Sequence, residues 1–533
     1  MSDNMAVFLT FVFLALLPWP IWRLGLFEAY RLCQSPVAVH RTIFSSGFLR
    51  GRVGKLFVGL GIYWAAVYLT LYFFPDLKIA LLVTGFVVAG FYLIRARTDY
   101  GLWSGMPPGK LTFLPIQPAL DENYYLQKRE KLGPIFKIGS PPDLRYLSFR
   151  PLVCIVDLKL GREFLKQHDL SLLNEPVAPF SLQFEAGGLR DMSDVDHKKY
   201  RKLHHRAYSN INPKYLDRIC RECTQTALSK MQSSKKTSRL TGVDPRPFFD
   251  QMMFEILAQI LFGIHRGSPQ FTELMGHVYE MNLTHVTRRT RKSKFRPKLQ
   301  KTLDFLRDYH TSKSSSMLGD TNREKSVLDL IGEQDRNAIF DDNVLCNLLN
   351  DFWSGRIDTT GLLTWTCKFI TESSGRTELA KISVLSDDAA DIRSDNFVKE
   401  VLRLSQSEWL LRRVTKTIEF NNFRIKKGWN VRICVREAHR LPESFVCPHA
   451  FDVDRFEQDE LSAAQYAPFG LYRHICIGGH IAHAASRALI LSAATEFDID
   501  AVQDGPLIHL WLHWAPSRFF KVAITNKTSG SIM

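Results

Sequence analysis

The sequence predicts a mainly α-helical domain with small β-sheets, preceded by hydrophobic helices of membrane-spanning length. Helical stretches such as Asp250 to Phe262 and Asn343 to Ile370 alternate with short β-rich runs such as Leu152 to Val156, and three apolar stretches precede residue 96. A chain of 533 residues is long for one core, which fits either a membrane segment followed by one large catalytic domain or two domains outright. With 45% hydrophobic and 23% charged residues the composition is that of a soluble globular protein, so membrane character is local. The formal charge of +15 calls for an anionic partner: a lipid surface, an acidic protein or nucleic acid. The nine cysteines are scattered, which reads as reduced thiols in a cytosol-facing domain. Cys220 and Cys223 form a lone CxxC without a second pair, so they read as ordinary helix positions rather than a zinc site.

The anchor is read over residues 1–105, with one to three transmembrane helices at 5–22, 56–74 and 77–94. Each approaches the roughly 20 residues a helix needs to cross the hydrocarbon core. The first has no basic leader, and Pro18 and Pro20 stand where a cleavage site would need small residues, so it reads as an anchor rather than a signal peptide. The loop from Arg23 to Lys55 carries Arg31, Arg41, Arg50 and Arg52 against the single acid Glu28, which places that loop in the cytosol. A turn at Phe74-Pro75-Asp76 then returns Arg95 and Arg97 to the same side; an interfacial hairpin in place of the last two spans leaves the rest equally cytosolic. Pro107-Pro108-Gly109 forms a stiff hinge at the start of a catalytic domain over 106–533.

The strongest chemical signal is the loop from Phe469 to Gly478, with Cys476 just ahead of a helical run that starts near His480. A cysteine in that position has its thiolate favoured by the helix dipole and by free backbone N–H groups. Upstream, Glu400 and Arg403 are spaced to share one helix face. Alone they would be a solvated ion pair, but Arg413 follows, and Phe451-Asp-Val-Asp-Arg455-Phe456 lies shortly before the cysteine loop.

The order and spacing of these pieces resemble the cytochrome P450 family from about Pro107 to the C-terminus. That resemblance implies a haem-thiolate fold with Cys476 as the axial ligand of the haem b iron and Glu400, Arg403 and Arg455 in a buried charge network behind it. Arg413 matches an arginine that pairs with a haem propionate, and Phe469 opens the cofactor-binding loop. Gly355-Arg-Ile-Asp358-Thr359-Thr360 looks like the family's oxygen-activation motif, in which an acid and an alcohol relay protons. His197-Lys-Lys-Tyr-Arg201 is similar to an element whose arginine contacts a propionate, with His197 where a tryptophan is usual. Further residues depart from the pattern: Tyr472 stands in a slot that is normally glycine, His474 in one normally arginine, Arg356 in one normally small, and Ala485 where a glutamate is common. Tyrosine at a glycine slot implies strain from a positive φ or a close approach to the porphyrin. His474 can still donate to a propionate, and a long cation at 356 intrudes over the iron unless it turns outward.

The implied activity is insertion of one oxygen atom from dioxygen into a lipophilic small molecule, with electrons from NADPH through a separate cytochrome P450 reductase. The implied location is the endoplasmic reticulum membrane, with the catalytic domain in the cytosol. Length and anchor resemble fungal members serving specialised (secondary) metabolism. Phe180 to Phe184, Phe352-Trp353 and Trp409-Leu410-Leu411 are expected to line an apolar pocket. The basic run from Arg288 to Lys298 is expected in a loop, as membrane-surface charge rather than a nucleic-acid patch. Two rival readings are a haem-thiolate isomerase or dehydratase working without a reductase, and a haem-free membrane scaffold.

Overall fold

The protein is described by a computed structural model over residues 105–109, 121–139, 151–174, 189, 192, 194–234, 242–286, 291–316, 324–405, 410–457, 461–462, 464–510 and 513–527. The anchor spans expected at 5–22, 56–74 and 77–94 lie outside the described residues, as do Phe180 to Phe184 and Trp409. No described helix is long and apolar enough to cross a membrane.

The chain divides into two compact units, the smaller built from Met1–Ile116, Lys137–Leu152 and Asn421–Arg424. In the smaller unit the hinge is fixed by backbone contacts. Lys137 N donates to the Pro108 carbonyl at 2.8 Å. Gly109 has φ +126°, and a Cβ there would stand 2.1 Å from the Lys137 carbonyl oxygen, so only glycine fits.

The larger unit is mainly helical. Its helices relevant to the site are α1 (Leu158–His168), α2 (Asp194–Ser209), α3 (Pro213–Ser233), α4 (Arg246–Phe262), α5 (Pro269–Val286), α6 (Arg291–Ser316), α7 (Val327–Gln334), α8 (Asp342–Thr371), α9 (Asp387–Ser405) and α10 (Gly479–Thr495). Side-chain caps set many of their starts. Asp341 accepts from Asn343 N at 2.8 Å ahead of α8, and Ser326 and Asp329 form a reciprocal capping box on α7. Gly263 closes α4 in the left-handed conformation at φ +69°.

α4 is buried on nearly every face. It packs between α3 and α8, and α10 closes the bundle against both of those helices. Phe352 of α8 sits edge-on to Phe254 at 5.0 Å and 5.8 Å from Phe262, both of α4. That corrects its expected place beside a substrate pocket: Phe352 is core, and its neighbour Trp353 is buried too. Cys220 and Cys223 are buried on α3, where burial pushes the Cys223 thiol up to about 12. The basic run is corrected as well. Arg291 to Lys298 begins α6, with Pro297 inside it, instead of forming a loop.

Small antiparallel sheets complete the larger unit. Strands β1 (Leu172–Asn174), β2 (Leu410–Val414) and β3 (Asn430–Ile433) lie side by side, with Leu173 opposite Arg413 and Arg413 opposite Asn430. Near the C-terminus β4 (Phe497–Gln503) pairs with β5 (Lys521–Asn526).

Candidate functional site

Glu400 and Arg403 have 0% solvent exposure on α9. The guanidinium grips the carboxylate with two bonds, Nε to Oε2 at 2.7 Å and Nη2 to Oε1 at 2.8 Å. Its other donations reach the carbonyls of His439 at 2.8 Å, Pro448 at 2.6 Å and Ala450 at 3.0 Å. Glu400 Oε1 also accepts from Asp452 N at 3.0 Å and Arg455 Nε at 3.3 Å. Arg455 donates further to the Val446 and Cys447 carbonyls. Those bonds brace Cys447, which sits at φ +47°, a conformation that needs outside support in an L residue.

His439 carries this network toward the cysteine loop. Its buried ring accepts from Ala467 N at 3.0 Å and stacks on Tyr466 at 5.3 Å. Burial, together with the Arg403 charge, pushes its pKa down to about 3, so the ring is neutral. Two residues past Ala467, the Phe469 carbonyl accepts from Cys476 N at 2.8 Å and closes the loop. Phe469 also packs on the start of α10, where a Cβ on Gly479 would come within 3.1 Å of its ring. The Cys476 side chain is exposed, three residues ahead of α10.

The departures from the sequence pattern have physical resolutions. Tyr472 takes φ +61°, the left-handed region, at the start of a one-turn 3₁₀ helix Tyr472–His474. Its neighbour Arg473 forms an ion pair with Asp169. His474 lies 4.5 Å from the His197 ring, and Asn174 Nδ2 stands 3.4 Å from both nitrogens of His474. Arg201 donates to the Ile475 carbonyl. Arg356 turns toward α4, where its Nε is 3.1 Å from Asp250 Oδ1 and its guanidinium lies 5.9 Å from the Phe254 ring centre.

The structure therefore gathers Cys476, Phe469, Arg201 and His474 around one loop and joins Glu400, Arg403 and Arg455 in one network. Arg413 lies in β2 opposite Leu173, the chain neighbour of the Asn174 that stands beside His474. On α8 Thr359 is buried and Asp358 is exposed. Sequence reasoning missed Asp169, Asn174, Asp250 and the bridging role of His439. Each is a partner supplied by a distant segment, and no local spacing announces it. The donor set suits a haem: an exposed soft sulfur at a helix N-terminus, with imidazoles and a guanidinium beside it for the anionic edge. An open groove of about 720 Å³ also runs past Cys476, lined in part by Tyr208, Ile475, Ile477 and Ala484.

Two stability effects follow from this geometry. Glu400→Gln leaves a buried guanidinium without its counter-charge and is expected to cost about 3–5 kcal/mol in denaturant unfolding; an unchanged midpoint contradicts the network. His439 is neutral in the fold but takes a proton near pH 6.5 when unfolded, so its contribution is complete above that value and is lost as pH falls toward about 3. The expected slope is at most about 1.4 kcal/mol per pH unit. His439→Gln, which can still accept from Ala467 N, should flatten the stability profile in that window, and an equally steep profile in the variant refutes the assignment.

A profile of the cytochrome P450 family matches residues 114–352 and 394–511, more than half of the chain, and passes over 353–393. Abscisic acid 8'-hydroxylase 1 of Oryza sativa subsp. japonica is 27% identical over 187 residues, covering 32% of this chain and 40% of the rice protein. Cytochrome P450 26B1 of Homo sapiens is 34% identical over 106 residues, covering 19% of this chain and 21% of its own length. The chain thus spans well under half the length of these relatives. Among solved structures, retinoic acid bound cyanobacterial CYP120A1 superposes with a TM-score of 0.62 at 18% identity, covering 80% of this chain and all of that one. A zebra fish cytochrome P450 with abiraterone gives 0.57 at 17% identity, covering 77% of this chain and all of the other. The shared architecture, the matched segments and the cysteine loop at their C-terminal end agree: the chain belongs to the cytochrome P450 family, whose cofactor is haem b.

Proposed function

We propose that this protein is a haem-thiolate monooxygenase that inserts one oxygen atom from dioxygen into a lipophilic small molecule. The observation that carries the reading is the exposed Cys476 thiol, held in a loop closed on Phe469 and tied through His439 to the buried Glu400–Arg403–Arg455 network. When bound, haem supplies the dioxygen-activating chemistry, using two electrons delivered from NADPH by a separate cytochrome P450 reductase.

The chain's own residues then have distinct tasks. Cys476 would hold the iron through its thiolate and supply electron density to it. Arg201, His474 and Arg413 would hold the propionates, and the Phe469 ring fixes the loop against α10. Thr359 presents a hydroxyl that both donates and accepts, while Asp358, exposed on the same helix, exchanges protons with water and resupplies it. Glu400, Arg403 and Arg455 keep the approach to the loop rigid. With Arg356 paired to Asp250, the cation that would have favoured a reductase-independent isomerase is directed toward α4.

The hydrophobic N-terminal stretches and the +15 charge support an endoplasmic reticulum anchor with the catalytic domain in the cytosol. Length and anchor support a role in specialised metabolism. Abscisic acid and retinoic acid, named for two similar proteins, are the first substrate probes.

The test is dioxygen uptake by the full-length protein in lipid membranes with NADPH and the reductase. Uptake is expected to need both, and Asp358→Asn is expected to slow it by roughly 10²-fold. Conversion of a probe without NADPH or dioxygen, or failure of the reductase to deliver electrons, contradicts the reading.

A further inference from the structure

Beside the cysteine loop lies a buried polar contact that the proposed chemistry does not use. Tyr208, near the end of α2, is 3% exposed, and its hydroxyl donates to Asp351 Oδ2 of α8 at 3.0 Å. Tyr208 comes seven residues after Arg201, which is two helical turns, so both project from one face of α2. That face meets the cysteine loop on either side of the sulfur. Arg201 donates to the carbonyl of Ile475, immediately before Cys476. The Tyr208 ring packs on Gly478, two residues after it, where a Cβ would lie 3.9 Å from Tyr208 Cε1.

Asp351 lies seven residues before Asp358, so the two carboxylates occupy one stripe of α8. The Tyr208–Asp351 bond therefore links the helix that carries Asp358 and Thr359 to the loop that carries Cys476. Arg201 lies close enough to feel both the Asp351 carboxylate and the Cys476 sulfur. Burial pushes the Asp351 carboxyl up to about 7, against the lowering pull of Tyr208 and Arg201, so above neutral pH it is a negative charge placed to offset Arg201, at the point where Arg201 grips the ligand loop.

We infer that Tyr208 and Asp351 are positioning residues of the haem-thiolate site: their bond sets the spacing between α8 and the cysteine loop, and Asp351 balances the Arg201 charge beside Cys476. The inference rests on the haem-thiolate reading and deepens it. Neither residue touches the reacting atoms, so the role is positional. Loss of the hydroxyl should loosen the loop, whereas loss of the carboxylate charge alone should leave the spacing intact and a guanidinium unbalanced beside Cys476.

Tyr208→Phe keeps the ring on Gly478 and removes only the hydroxyl, and Asp351→Asn keeps an oxygen that can accept while removing the charge. Both are compared with wild type in the full-length protein at about pH 8, where the Asp351 carboxyl is mostly ionised, reading haem content per chain, the carbon monoxide band of the reduced protein and the haem midpoint potential. In Tyr208→Phe the ratio of thiolate-ligated to thiolate-lost carbon monoxide complex is expected to fall roughly fivefold, the weight of one buried hydrogen bond. Asp351→Asn is expected to keep the thiolate band and raise the midpoint potential, a readout that a purely structural contact would not move. Wild-type band and potential in both variants overturn the inference. Should Tyr208→Phe fail to fold, an unshifted potential in Asp351→Asn still overturns the charge-balancing role. A wild-type protein without the thiolate band instead overturns the haem-thiolate reading itself, which separates the two failures.

Discussion

A carboxylate and a guanidinium with no solvent contact survive in a protein interior only if their lone pairs and protons are used, because each loses several kcal/mol of hydration on burial. Arg403 meets that demand by spending two donations on Glu400 and the rest on the carbonyls of His439, Pro448 and Ala450. The consequence is geometric. An irregular stretch with little secondary structure to hold it is fixed to α9 at three points, and Arg455 closes the arrangement from the other side. His439 passes that rigidity on to Ala467, and the Cys476–Phe469 bond passes it on to the sulfur. The position of the thiol thus depends on an ion pair in a separate helix.

The same logic explains why the unusual residues of this chain are tolerated. Tyr472 is held in a left-handed conformation within a loop anchored at both ends, by Arg473 to Asp169 and by Cys476 N to Phe469. His474 and His197 stand together where larger or permanently charged groups were expected, and Asn174 adds an amide beside them. Arg356 finds its counter-charge on the neighbouring helix α4. Each substitution is matched by a partner from elsewhere in the chain, so the ligand loop keeps its shape while its electrostatic surroundings change.

What could be read in the sequence was whatever repeats at short range. The three-residue spacing of Glu400 and Arg403, the long helical stretch through Asp358 and Thr359, and a cysteine poised before a helix are local signals, and they led to the mainly helical fold. What could not be read depends on which distant segments meet. Nothing near Arg356 announces Asp250, nothing near His474 announces Asn174, and Tyr208 and Asp351 are 143 residues apart. Phe352 shows the same limit from the other side. An aromatic pair on a helix beside the motif looks the same in sequence whether it faces a cavity or the core, and only the packing of α4 decides that it is core. The basic run from Arg291 likewise carries no apolar stripe to signal a helix, yet it forms the first turns of α6.

The central claim is that Cys476 ligates haem iron as a thiolate. The most direct measurement is the carbon monoxide difference spectrum of the dithionite-reduced, full-length protein, recorded beside Cys476→Ser. Wild type should show the red-shifted Soret band of a thiolate-ligated iron, and Cys476→Ser should lose it. A folded wild-type protein that binds no haem, or the same band in Cys476→Ser, would contradict the account.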